Sequence, residues 1–212
     1  MVDQAVGANG RSPLQKNEMK IGVLALQGAF EEHIVMLKKL GAETAEVRLS
    51  EQLDDLDGLI IPGGESTTIG KLMVDFDLLE PIREFGLAHA IWGTCAGAIL
   101  LSKDAHREQP LLELMDITVE RNAFGRQLDS FEAGLDVDFL KQATGAGDPF
   151  HAVFIRAPII ESVGADVETL ISLPDGRIVA AQQGHLLATS FHPELTGDTR
   201  FHEYFLSLVG AG

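Results

Sequence analysis

Cysteine is nearly absent from this chain: one occurs in 212 residues, so no internal disulfide can form, which fits a reducing compartment and points to the cytoplasm. Basic charge is also scarce. Sixteen Lys and Arg face 32 Asp and Glu, a formal net charge of −16. That balance excludes the positive footprint nucleic acid requires and argues against anionic membrane surfaces. No apolar run approaches the length that spans a bilayer. Residues 1–18 lack the apolar core of a secretory signal, and no internal repeat is present. There is no Cys/His cluster, so a zinc site is not expected. What remains is a length suited to one sizeable domain that buries its own core.

The chain divides into a polar stretch, residues 1–18, expected to be a flexible N-terminal extension, and a single domain over 19–212. Ile21-Gly22-Val23-Leu24-Ala25-Leu26 and Gly58-Leu59-Ile60-Ile61 are continuous apolar runs, as in strands buried on both faces. A further strand is expected near Ala45–Arg48, and another at Ala90-Ile91-Trp92. Helical patterns separate them, with Phe30, Ile34, Leu37 and Leu40 on one face, then roughly Thr67–Val74 and Leu78–Phe85. This alternation predicts an α/β fold: a single-domain three-layer sandwich, with a mostly parallel open sheet and helices on both faces. The second half changes character. Strand-like runs at Ile117–Val119, Val153–Ile155, Val167–Ile171, Arg177–Ala181 and Leu186–Thr189 include a hairpin through Pro174-Asp175-Gly176. Asn122–Pro149 is expected to be irregular and to lie over the site. A closing helix, roughly Asp198–Val209, sets Phe201, Tyr204, Phe205 and Leu208 on one stripe.

The lone cysteine sits in Gly93-Thr94-Cys95-Ala96-Gly97, after the apolar Ala88–Trp92 and before the helix-like Ala98–Leu101. A strand, a tight turn and a helix present the turn residue at an apex with backbone N–H groups beside it, the geometry of a nucleophile elbow. A cysteine nucleophile needs a base, because a free thiol with pKa near 8.5 holds little thiolate at neutral pH. Among seven histidines, His192 follows the strand ending Thr189-Ser190-Phe191 and precedes Pro193-Glu194. It therefore falls at the sheet edge where ligands bind in open α/β folds, with a carboxylate two residues on to orient it. None of the other six, His33 on the first helix, His89, His106, His151, His185 and His202 on the last helix, has a carboxylate partner in so constrained a setting. An oxyanion hole has a donor in the N–H of Ala96, and Pro62-Gly63-Gly64-Glu65-Ser66 at a strand end supplies another. A phosphate loop is the competing reading of those glycines, but the Walker Lys-Ser/Thr pair and the G-x-G-x-x-G spacing are missing.

Pro62-Gly63-Gly64, Gly93–Gly97 and Phe191-His192-Pro193-Glu194, in that order, resemble the class-I, triad-type glutamine amidotransferases. Leu24-Ala25-Leu26-Gln27-Gly28, Gly63–Thr68, Val119–Gln127, Asp129–Glu132 and Phe154–Pro158 are similar to the glutaminase subunits of pyridoxal 5′-phosphate synthase, and the likeness covers Lys20 to the end. The resemblance implies a flavodoxin-like fold and hydrolysis of L-glutamine to glutamate and ammonia through a cysteine thioester. It also implies a hetero-oligomer, in which a separate synthase subunit receives the ammonia for vitamin B6 synthesis, and no cofactor. By motif it assigns Cys95 as nucleophile, His192 as base and acid, and Glu194 as its orienter. Gly64, Glu65, Ser66, Arg121, Ile155 and Arg156 become glutamine-binding residues, and Gly64 and Ala96 the oxyanion hole. Gln27 and Gly28 form the loop expected to report synthase docking to the oxyanion region. Two other readings stand beside this one: another class-I amidotransferase or cysteine hydrolase of similar fold, and a catalytically silent interaction module. A glutamine site needs a carboxylate binder, here Arg121 or Arg156, and a silent module would normally have lost one of Cys95, His192 and Glu194.

Overall fold

A computed structural model describes residues 19–121, 130–145 and 147–211. The extension 1–18 and the Asn122–Asp129 part of the expected irregular segment lie outside the described residues. The first strands are β1 (Lys20–Leu24), β2 (Glu43–Val47), β3 (Gly58–Ile61) and β4 (Ala90–Thr94). Helices α1 (Phe30–Lys39), α2 (Ser66–Asp75) and α3 (Leu79–Gly86) connect them, and α4 (Ala96–Leu101) follows β4. Then come β5 (Ser102–Asp104), β6 (Met115–Glu120), β7 (Ser130–Leu135), α5 (Asp138–Thr144), β8 (Phe150–Ile155) and β9 (Ile159–Val163). The chain ends in β10 (Glu168–Ser172), β11 (Ile178–Gln183), β12 (Leu186–Thr189) and α6 (Arg200–Val209).

One large sheet runs β2-β1-β3-β4-β12-β11-β9-β6-β5, with β10 paired to β11. The ladders from β2 through β12 are parallel, and those joining β12, β11, β9 and β6 are antiparallel, so the sheet is mixed. The β10–β11 hairpin turns at Pro174–Gly176, as the sequence predicts. In the buried strands successive side chains enter opposite layers. Leu59 and Ile61 pack with α2, α3 and α4, whereas Ile60 joins the layer of α1 and α6; Ile91 and Trp92 divide the same way. This is why continuous apolar runs, with no polar alternation, form these strands. Among the described residues no helix is long and apolar enough to cross a membrane.

Over its described residues, 130–145 and 147–149, the structure corrects the expectation that Asn122–Pro149 is irregular. Within it β7 pairs antiparallel with β8 in a separate two-stranded sheet, and α5 packs on α6 with Phe139 edge-on to Phe201 and Tyr204. The reason is a period-two pattern: Phe131, Ala133 and Leu135 face one side of β7, where Phe131 stacks on Phe154 at 4.4 Å. Two strands, β5 and β9, were also not evident from sequence pattern, because both are short and half exposed.

Candidate active site

The C-terminal ends of β1, β3, β4 and β12 meet at one edge of the sheet. A cavity of about 540 Å³ opens there, lined by Gln27, Gly28, Gly63, Gly64, Glu65, Ser66, Cys95, Ala96, Arg121, Ile155, Arg156 and His192, among others. Glu194 lies behind His192, buried. The structure thus brings together every residue the sequence singled out as a site candidate.

Cys95 is the single residue between β4 and α4, with φ 48° and ψ −102°. For a residue with a Cβ this backbone is strained by about 1–3 kcal/mol and persists because the surroundings hold it. Its N–H donates to Thr189 O at 2.8 Å, and its carbonyl begins α4. The helix sits hard against β3: a Cβ on Gly97 would stand 2.0 Å from Ile61 O. The two glycines of the motif are therefore packing requirements, and they leave the Cys95 side chain at the cavity wall, its Sγ 3.9 Å from Ile155 O.

His192 follows β12 and is fixed by its own N–H, which donates to Val153 O of β8 at 2.8 Å. Its ring Nδ1 meets Glu194 Oε1 at 2.7 Å. Burial works against charge on this imidazole, but hydrogen bonds with Cys95 and Glu194 outweigh it and push the pKa up to about 10. An imidazolium beside a thiol is the arrangement that sustains a reactive thiolate. Gly63 makes room for the ring, since a Cβ there would lie 2.4 Å from His192 Cε1.

The first loop grips the Gly63–Glu65 turn. Ala29 N–H donates to Gly63 O at 3.0 Å, and Glu65 N–H donates to Gln27 Oε1 at 2.8 Å. Gly28, at φ +108°, is required because a Cβ would stand 1.9 Å from Gly63 O. The Glu65 carboxylate, also in the lining, caps α2. It accepts from Thr68 N–H at 2.8 Å, from the Thr67 hydroxyl, and from Arg121 Nη2 at 2.7 Å. Burial opposes the charge of Glu65, but these donors hold its pKa down at about 2. The cavity therefore carries a fixed carboxylate and a guanidinium side by side, a match for a zwitterion. Ser66 and Arg121 Nη1 both meet Gln109 Oε1 at 3.3 Å. Among the described residues no group of His, Cys, Asp and Glu is placed to hold a metal ion.

The structure corrects the expectation that no other histidine has a carboxylate partner: on the surface His106 Nε2 meets Glu161 Oε2 at 2.5 Å and His151 Nε2 meets Glu132 Oε2 at 2.7 Å, and a third pair is buried. His33 does have a carboxylate partner: its Nε2 lies 3.5 Å from Glu194 Oε2, with both side chains fully buried. Its Nδ1 meets His202 Nε2 at 3.0 Å. The two residues are 161 and 169 positions away from His33, so no local spacing announces the contact. The available signal was a polar residue on the apolar face of α1, one helical turn from Leu37.

Comparison with known proteins gives the family and the fold. A family model described as the SNO glutamine amidotransferase family matches residues 23–210. The chain is 65% identical over 195 residues to the pyridoxal 5′-phosphate synthase subunit PdxT of Herpetosiphon aurantiacus, covering 90% of this chain and 100% of that protein. It is 56% identical to PdxT of Moorella thermoacetica, covering 91% and 100%. A crystal structure described as a glutamine amidotransferase superposes with TM-score 0.83 at 50% identity, over 90% of this chain and 98% of that one. The structure of PurLQS from Thermotoga maritima, 18% identical over 92% and 99% with TM-score 0.65, shares the fold. On the strength of its motifs, its site and a match across nearly its whole described length, the chain belongs to the SNO glutamine amidotransferase family.

Proposed function

We propose that this chain is the glutaminase subunit of pyridoxal 5′-phosphate synthase, hydrolysing L-glutamine and delivering ammonia to the synthase subunit. The observation that carries the reading is the Cys95–His192–Glu194 array at the wall of a cavity that Glu65 and Arg121 also line. Arg121 takes the α-carboxylate of glutamine and Glu65 the α-ammonium, with Ser66, Arg156 and the backbone at Ile155 completing the site. The side-chain amide then lies toward Cys95. The thiolate attacks its carbonyl carbon, and N–H groups at Gly64 and Ala96 hold the oxyanion. His192 gives its proton to the departing nitrogen, which leaves as ammonia. His192 then takes a proton from water as it attacks the thioester, releasing glutamate and restoring the thiol. Glu194 keeps the imidazole oriented and offsets its charge.

Gln27 and Gly28 are the activation loop in this reading. They hold the Gly63–Glu65 backbone, so a partner that moves the first loop moves the oxyanion donors with it. Residues 19–212 act as one glutaminase domain. The cytoplasm suits the reaction, because a lone nucleophilic cysteine stays reduced there. The test is ammonia release from glutamine with and without the synthase subunit. Release that rises on adding the synthase and vanishes in Cys95→Ala supports the reading; release that survives Cys95→Ala refutes it.

A further inference from the structure

We propose that His33, backed by His202, is a positioning residue for the Glu194 carboxylate, donating its Nε2–H toward Oε2 so that Oε1 stays on His192. The proposal rests on the triad reading given above. Glu194 is buried, and only one of its oxygens is engaged: Oε1 meets His192 Nδ1 at 2.7 Å, while Oε2 has no hydrogen-bond partner among the described residues. A half-satisfied buried carboxylate is free to rotate unless something holds the second oxygen. The group facing that oxygen is His33 Nε2, at 3.5 Å. It also lies 3.2 Å from Thr94 Oγ1, on the residue just before Cys95.

The protonation pattern follows from counting donors. Burial, then the neighbouring His202 and His192, hold the pKa of His33 well below its ordinary value, so its ring is neutral and carries one proton. Burial likewise pushes His202 down to about 3. If the His33 proton were on Nδ1, it would donate to His202 Nε2, and His202 would keep its own proton on Nδ1, a buried atom with no partner. His33 Nε2 would then accept from the Thr94 hydroxyl and offer no proton to the carboxylate. With the proton on Nε2, His202 Nε2–H donates to His33 Nδ1, and His33 Nε2–H donates to Thr94 Oγ1 at 3.2 Å while facing Glu194 Oε2 at 3.5 Å. The unpartnered atom is then only a lone pair on His202 Nδ1, the lesser penalty. Trp92 fixes both rings edge-on, at 5.6 Å from His33 and 5.0 Å from His202.

A neutral donor suits this position. A cation at His33 would compete with His192 for the Glu194 charge, whereas a neutral N–H orients the carboxylate and leaves its full charge to the imidazolium. At 3.5 Å the contact is longer than a full hydrogen bond, as catalytic hydrogen bonds commonly are before substrate binds.

Two measurements decide the matter. Histidine ¹⁵N NMR of the full chain, with His33 assigned by comparison with His33→Gln, should show His33 and His202 neutral and protonated on Nε2 near pH 7. A His33 proton on Nδ1, or an imidazolium, overturns the proposal without any appeal to activity. Glutamine hydrolysis is then measured in the complex with the synthase subunit. His33→Leu, which removes the donor, should lose about 10-fold or more in kcat with KM for glutamine little changed, and His33→Gln, which keeps an N–H in reach, should recover to within about threefold. A folded His33→Leu with unaltered kcat, a loss confined to KM, or a Gln variant as impaired as the Leu variant refutes it. Failure of the triad reading is distinguishable, because it leaves the parent complex without ammonia release or leaves Cys95→Ala active, and the tautomer result stands apart from both.

Discussion

Replacing Glu194 by Gln keeps the shape of the side chain and removes its charge, which isolates what the carboxylate does for His192. In the folded protein that imidazole is pushed from 6.5 to about 10, against the opposing effect of burial. At 1.36 kcal/mol per unit the net displacement is about 5 kcal/mol, supplied by Cys95 and Glu194 together, with the Cys95 hydrogen bond the larger of the two. A hydrogen bond to a charged group contributes about 1.5–3 kcal/mol, a sensible share for Glu194 at 2.7 Å. In Glu194→Gln the His192 pKa should therefore fall by about 1–2 units, and kcat by about 10- to 100-fold. The sign carries over to stability. Because the folded value exceeds the unfolded 6.5, charged His192 stabilises the fold fully below pH 6.5, and that contribution fades as pH rises toward about 10. The variant should lose it over a narrower, lower window. The assays are the titration of His192 Cε1–H by NMR and ammonia release in the synthase complex. A Glu194→Gln protein with kcat within twofold of the parent, or with an unmoved His192 titration, would falsify this division of labour.

Two further outcomes are expected. Gly63→Ala places a Cβ 2.4 Å from His192 Cε1 and should displace the ring from Cys95, lowering kcat by about 100-fold in the ammonia assay, whereas wild-type kcat would mean the ring does not need its observed position. Gln27→Ala removes the acceptor of Glu65 N–H and should reduce synthase-stimulated glutaminase by about 2- to 10-fold, and an unchanged stimulated rate would separate the first loop from activation.

The site was legible in the sequence because its chemistry is carried by short local motifs. Cys95 stands between Gly97, which the β3–α4 contact demands, and Gly93, which α4 folding back on β4 demands, and His192 and Glu194 are two residues apart, so local chain geometry alone brings the imidazole and the carboxylate together. The parallel half of the sheet was legible for a related reason: strands buried on both faces, such as β3 and β4, read as unbroken apolar runs. The antiparallel half has weaker patterns. β7 alternates only three apolar side chains with exposed Ser130, Glu132 and Gly134, and β9 buries only Ile160 fully, so neither rises above its surroundings. The layer behind the triad was the least legible. His33, Glu194 and His202 meet only after α1 and α6 pack on the same face of β4, and no spacing along the chain encodes that meeting. Burial of a charged or polar side chain is a tertiary fact, and its partner is found only by folding.

The most direct test is to treat the chain, with its synthase subunit, with a diazo-ketone analogue of glutamine and to map the adduct by peptide mass spectrometry. A nucleophilic Cys95 beside a glutamine pocket should give one adduct, on Cys95, slowed by excess glutamine and lost in Cys95→Ala. An unlabelled Cys95, or an adduct elsewhere that glutamine does not protect, would contradict the assignment of this cavity as a glutaminase site.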